Sequence, residues 1–100
     1  PNGIIYVAEN GKDAVDKFSV LKPDLILMDI QMPILNGYEA TAEIRKHPIG
    51  QHIPIIALTA GTVIGEKEKC IEAGMNDYIS KPIDKELLEI VITKWILTKL

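Results

Sequence analysis

One hundred residues, 47% hydrophobic and 25% charged, suit a single domain with a core of its own and exclude a disordered tail. A formal charge of −3 argues against a basic, phosphate-grasping surface, so no nucleic acid is expected as a partner. The single cysteine, Cys70, permits neither an internal disulfide nor a thiolate metal cage, and no apolar run is long enough to span a bilayer. No secretory signal of the charged-then-apolar kind is visible. The chain starts at Pro1, which reads as a processed product or a piece of something longer.

In chain order, two textures alternate. Ile4-Ile5-Tyr6-Val7-Ala8 is a short apolar run suited to a buried strand. Asn10 offers a helix N-cap, and Ala14, Val15, Phe18 and Leu21 share one face of a helix over Gly11 to Leu21 that Pro23 closes. A second strand covers Asp24 to Asp29. A loop with Pro33 and Gly37 leads to a helix from about Tyr38 to Lys46, then Pro48 and Gly50. Ile53 to Leu58 is the third strand. The third helix spans about Glu66 to Ala73, with Gly74 at its C′ position. Asn76 to Ser80 is a shorter strand ending at Lys81-Pro82. Asp84 caps a last helix that reaches nearly to Leu100.

Four strand–helix units predict an α/β fold: a doubly wound, flavodoxin-like parallel sheet with helices on both faces. Ligands of such sheets sit outside the carboxyl ends of the strands. The residues to weigh are therefore those at Ala8 to Asn10, Asp29 to Gly37, Thr59 to Gly61 and Lys81-Pro82.

Asp29 directly follows Leu25-Ile26-Leu27-Met28, where a carboxylate costs desolvation unless the crevice is wet, metal-bound or hydrogen-bonded. A strand-end Asp that merely caps loop amides is the plain alternative. Pro33 would stiffen the following loop, and Gly37 can take a positive φ just before the helix. Thr59 alone is an ordinary strand threonine, but on the strand beside Asp29 its hydroxyl could donate to an anion held there. Lys81 alone is an ordinary solvated lysine. Before Pro82 it is pushed to extended geometry, with a cis peptide possible, and its ammonium would be aimed at Asp29. Such a pair would keep the carboxylate ionised and give a transferred phosphoryl group a cation.

Taken together, these motifs resemble a response-regulator receiver domain: Asp29-Ile-Gln-Met32-Pro33-Ile-Leu-Asn-Gly37, then Leu58-Thr59-Ala60, then Glu72-Ala73-Gly74-Met75-Asn76-Asp77-Tyr78, then Lys81-Pro82. Gly74 to Ile83 is similar to the receivers of hybrid histidine kinases. The resemblance implies that Asp29 is the phosphoacceptor, loaded from a phosphohistidine. It makes Thr59 the switch hydroxyl, Lys81 the phosphoryl contact and Tyr78 the aromatic switch. It implies a Mg2+ ion on the Asp29 carboxylate and the Gln31 backbone carbonyl, chemistry that suits an oxygen-loving ion and phosphoryl transfer. It also implies a histidine kinase or histidine phosphotransfer domain as partner and a cytoplasmic location. Such a domain is not a conventional enzyme, although receivers assist their own phosphorylation and dephosphorylation.

The resembled family has five strand–helix units. The unit not found in residues 1–100 is the first, roughly 20–25 residues with an acidic pair at the end of its strand. Glu9 ends the first strand here but corresponds to the family's second, so the acidic-pair role does not pass to it. With strand order resembling 2-1-3-4-5, loss of strand 1 would leave a gap or let strand 2 move over to strand 3. Apolar surface would stay uncovered, as would the wide apolar band of the last helix: Leu87, Leu88, Ile90, Val91, Ile92, Trp95, Ile96, Leu97 and Leu100. Self-association, or need of a partner segment, is the expectation, with weak phosphorylation at most.

Two other functions fit the same residues. One is a phosphorylation-independent interaction module. The other is a hydrolase with a nucleophilic Asp, like haloacid-dehalogenase-type phosphatases, but Gln31 stands where those have a second Asp. Cys70 reads as a small core residue, His47 and His52 as solvated, and Glu66 to Lys69 as a charged helix face.

Overall fold

A computed structural model describes residues 4–8, 10–30, 36–59 and 65–98. Four strands form one sheet: β1 (Ile5–Ala8), β2 (Leu25–Asp29), β3 (Ile55–Thr59) and β4 (Asp77–Ser80). All neighbours are parallel, in the order β1-β2-β3-β4. The helices between and after them are α1 (Gly11–Leu21), α2 (Gly37–Arg45), α3 (Glu66–Ala73) and α4 (Lys85–Thr98), with a 3₁₀ turn at Ile49–Gln51. Of the two outcomes expected for the sheet, a gap or a closing-up, the second holds: β1 pairs directly with β2, Ile5 opposite Leu25 and Ala8 opposite Met28.

Local chemistry sets the helix ends. Asn10 Oδ1 accepts from the Lys12 and Asp13 amides, so α1 starts where the sequence places it. It ends on Lys22, which adopts φ 46° and donates its amide to the Phe18 carbonyl. Asn36 and Glu39 form a reciprocal capping box, which starts α2 one residue earlier than the periodicity suggests. Gly74 closes α3 at φ 105°, and Asp84 Oδ1 accepts from Glu86 and Leu87 to start α4.

The period of two along the strands divides the core. Ile26, Met28, Ile55 and Ala57 face α1, α2 and α3, where they pack with Phe18, Ile44 and Cys70. Leu25, Leu27, Ile56 and Ile79 face the other way, onto Val91, Leu88, Ile92, Trp95 and Ile96 of α4. Near the amino ends of the strands, Arg45 gathers three segments. Its Nε and Nη2 donate to the Gly74 carbonyl, Nη1 to the Gly50 and Ile53 carbonyls, and Nη2 also to Asn76 Oδ1. All five donors meet uncharged acceptors, and burial pushes the guanidinium below its ordinary pKa. Asn76 Oδ1 also accepts the Ile55 amide, which ties the start of β3 to the same hub.

Candidate functional site at the carboxyl ends of the strands

The site residues arrive on three consecutive strands. Asp29 is the last residue of β2, in register with Leu58, and Ile30 donates its amide to the Leu58 carbonyl at 3.2 Å. Thr59 ends β3 in register with Ser80, and its carbonyl accepts the Lys81 amide at 2.6 Å. The ladder therefore delivers Lys81 to the rim that carries Asp29 and Thr59.

Lys81 Nζ donates to Asp29 Oδ2 at 2.5 Å, across 52 residues of sequence. Their side chains are 43% and 28% exposed, so the pair sits in a wet crevice rather than the core. The Lys81–Pro82 peptide is cis, the isomer raised as possible from the sequence. The Thr59 side chain behaves differently. The residue is 2% exposed, and among the described residues its Oγ1 has no hydrogen-bond partner. A buried hydroxyl without a partner is costly, so an acceptor arriving at this rim would satisfy it.

Gly37 donates its amide to the Ile30 carbonyl at 3.0 Å and begins α2. The positive φ open to Gly37 is not used: the described glycines with positive φ are Gly65 and Gly74. Space is what requires glycine here. A Cβ on Gly37 would lie 2.7 Å from the Asp29 carbonyl oxygen, so a side chain would push α2 off the strand end.

Tyr78 lies on β4 in register with Ala57, at the exposed edge of the sheet. Its neighbour Asp77 accepts from the Tyr78 amide through Oδ1 and from Trp95 Nε1 through Oδ2 at 2.9 Å, which ties β4 to α4. The Gln31 carbonyl, Met32, Pro33, Ala60 and Glu9 lie outside the described residues. Of the minor expectations, Cys70 is fully buried, while His47, His52, Lys67, Glu68 and Lys69 are exposed. His47 also sets its ring edge against Phe18.

The sequence reading missed two supports: the Asn36–Glu39 capping box that starts α2, and the Arg45 hub at the end of the strands opposite the rim. Asn36-x-x-Glu39 was visible as a capping-box pattern. Arg45 is the one arginine among eleven basic residues, a bias toward a multidentate role that single-residue reading does not detect.

The model of the response regulator receiver domain matches residues 2–93. This chain belongs to the receiver family. It is 50% identical over 95 residues to hybrid signal transduction histidine kinase I of Dictyostelium discoideum, covering 88% of this chain and 6% of that protein. It is 41% identical over 91 residues to the signal transduction histidine-protein kinase BarA of Escherichia coli K12, covering 91% of this chain and 10% of that protein. The chain thus spans a tenth or less of the length of these curated relatives. Among solved structures, the receiver domain of sensor histidine kinase PA1611 from Pseudomonas aeruginosa superimposes with a TM-score of 0.86 at 33% identity. That match covers 96% of this chain and 98% of the other, and that crystal holds a magnesium ion in its active-site cleft. Among the described residues, no helix of this receiver is long and apolar enough to cross a membrane.

Proposed function

We propose that this receiver accepts a phosphoryl group on Asp29 from a phosphohistidine of a histidine kinase or histidine phosphotransfer domain, as a cytoplasmic signalling module. The observation that carries the reading is the Asp29–Lys81 pair on the same rim as the buried Thr59 hydroxyl, which has no hydrogen-bond partner among the described residues. An Asp29 carboxylate oxygen attacks phosphorus, a P–O bond forms, and the P–N bond to the donor imidazole breaks. The imidazole leaves with the bonding electrons and is reprotonated from solvent. The Lys81 ammonium, already on Oδ2, offsets the charge of the arriving phosphoryl oxygens. The Thr59 hydroxyl then donates to one of those oxygens, and Tyr78 turns inward as Thr59 is engaged.

Among the described residues there is no cluster of three or more His, Cys, Asp or Glu able to cage a metal. Asp29 nevertheless fits Mg2+, a hard ion that keeps several waters and takes one or two carboxylates. Asp29 and the Gln31 carbonyl would hold it, and when bound it supplies charge neutralisation at the phosphoryl oxygens. Incubation with acetyl phosphate and magnesium, read by intact mass, tests the proposal. The wild-type chain should gain one phosphoryl group, in low yield, and Asp29→Asn none. Equal gain by both would overturn it, and no gain by either favours a phosphorylation-independent interaction module.

A further inference from the structure

The two edges of the sheet differ in chemistry. β4 is guarded: Asp77 lies within it, and Lys81 and Pro82 follow it, which discourages a foreign strand from adding. β1 carries no such residue within it, although Glu9 follows it in sequence. Ile4-Ile5-Tyr6-Val7-Ala8 contains no charge, proline or glycine. Ile4 donates its amide to Asp24 Oδ2 at 2.7 Å, and its carbonyl accepts from Asp24 and Leu25, so Ile4 turns its backbone groups toward β2. Because strand residues alternate, Ile5 and Val7 turn theirs outward from the sheet. Their side chains lie on the α4 side, beside Leu25 and Leu27, yet outside the cluster those two form with α4. Val7 is 53% exposed.

We propose that β1 pairs with the β1 strand of a second copy of this chain, antiparallel about a two-fold axis through Tyr6. A strand pairing with itself about such an axis is necessarily antiparallel. In this register Ile5 of each copy faces Val7 of the other. Both have outward-facing backbone groups, so each pair exchanges two hydrogen bonds, four in all for the dimer. The axis stands perpendicular to the sheet, so both Ile–Val pairs form on the same face, as β-branched cross-strand contacts. In this register the strand is complementary to itself: apolar Ile5 meets apolar Val7, and no charge within residues 4–8 meets its own like across the axis. Strand pairing this short covers less than the roughly 800 Å² per partner of a standard stable interface. The association is therefore weak and concentration-dependent, and it closes an eight-stranded sheet. The inference rests on the fold and not on phosphorylation.

Light scattering on the full chain during size exclusion, over a wide concentration range, tests the pairing. The mass should climb from 11.1 kDa toward twice that value. Amide exchange at Ile5 and Val7 should slow as the mass rises. Val7→Lys, at an exposed side chain, should hold the mass at monomer with an unchanged circular dichroism spectrum, while Ile90→Lys on α4 leaves the dimer intact. A constant monomer mass overturns the proposal: fast Ile5 and Val7 exchange then means an open edge, and slow exchange an edge covered by another segment of the chain. A dimer that survives folded Val7→Lys, or that Ile90→Lys abolishes, also overturns it in favour of pairing through α4. If Val7→Lys loses its fold, the concentration dependence of Ile5 and Val7 exchange in the wild type decides.

Discussion

The two faces of the sheet are covered unequally. On one, α1, α2 and α3 bury Phe18, Ile26, Met28, Ile44 and Ile55. On the other, α4 alone covers Leu25, Leu27, Ile56 and Ile79, and leaves Ile5 and Val7 exposed at the β1 end. α4 itself carries more apolar surface than the sheet beneath it uses: Ile90 is 65% exposed, and Leu87 and Leu97 are exposed as well. Stability should therefore reside on the three-helix face, and association on the other. The site depends on both, because Asp29 is held by the return to α2, while Lys81 follows β4, which Asp77 and Trp95 fasten to α4.

Several substitutions would sharpen or break this contrast. Phe18→Ala on the three-helix face should cost about 3–5 kcal/mol in urea unfolding, since a fully buried ring leaves a cavity. Arg45→Ala should cost about 2–3 kcal/mol, because three carbonyls and the Asn76 amide oxygen lose a charged donor, and Arg45→Lys should recover only part of it. Trp95→Phe should cost about 1 kcal/mol by removing the bond to Asp77 on the α4 face. Ile90→Ser should change stability by no more than about 0.5 kcal/mol. If Ile90→Ser cost as much as Phe18→Ala, the α4 face would be buried against something further, and the contrast between the faces would fail.

Most of the fold was legible because apolar periodicity and punctuation agree. α1 and α3 span the residues that Asn10, Pro23 and Gly74 mark out, and the strands shift by no more than two residues. The sheet order could be narrowed only to two outcomes, because strand pairing is a long-range choice that no local pattern encodes. At the site, Asp29 and Lys81 were legible as strand-end residues, and the ladder brings them together. Thr59 was legible as a neighbour on the same rim, but its burial without a hydrogen-bond partner among the described residues is a tertiary property that no local pattern carries. Gly37 was read for its backbone freedom when its use is close approach to Asp29. The Arg45 hub stayed hidden because its acceptors, three backbone carbonyls and the Asn76 amide oxygen, come from segments separated in sequence.

The most direct test of the account concerns the phosphoacceptor itself. The chain would be incubated with a phosphorylated histidine phosphotransfer domain and magnesium, then treated with borohydride, which reduces an aspartyl phosphate to homoserine. Peptide mass spectrometry should find homoserine at position 29 and at no other aspartate, and the signal should fall in Lys81→Ala. Homoserine at another aspartate, or none anywhere, would contradict Asp29 as the residue around which this site is built.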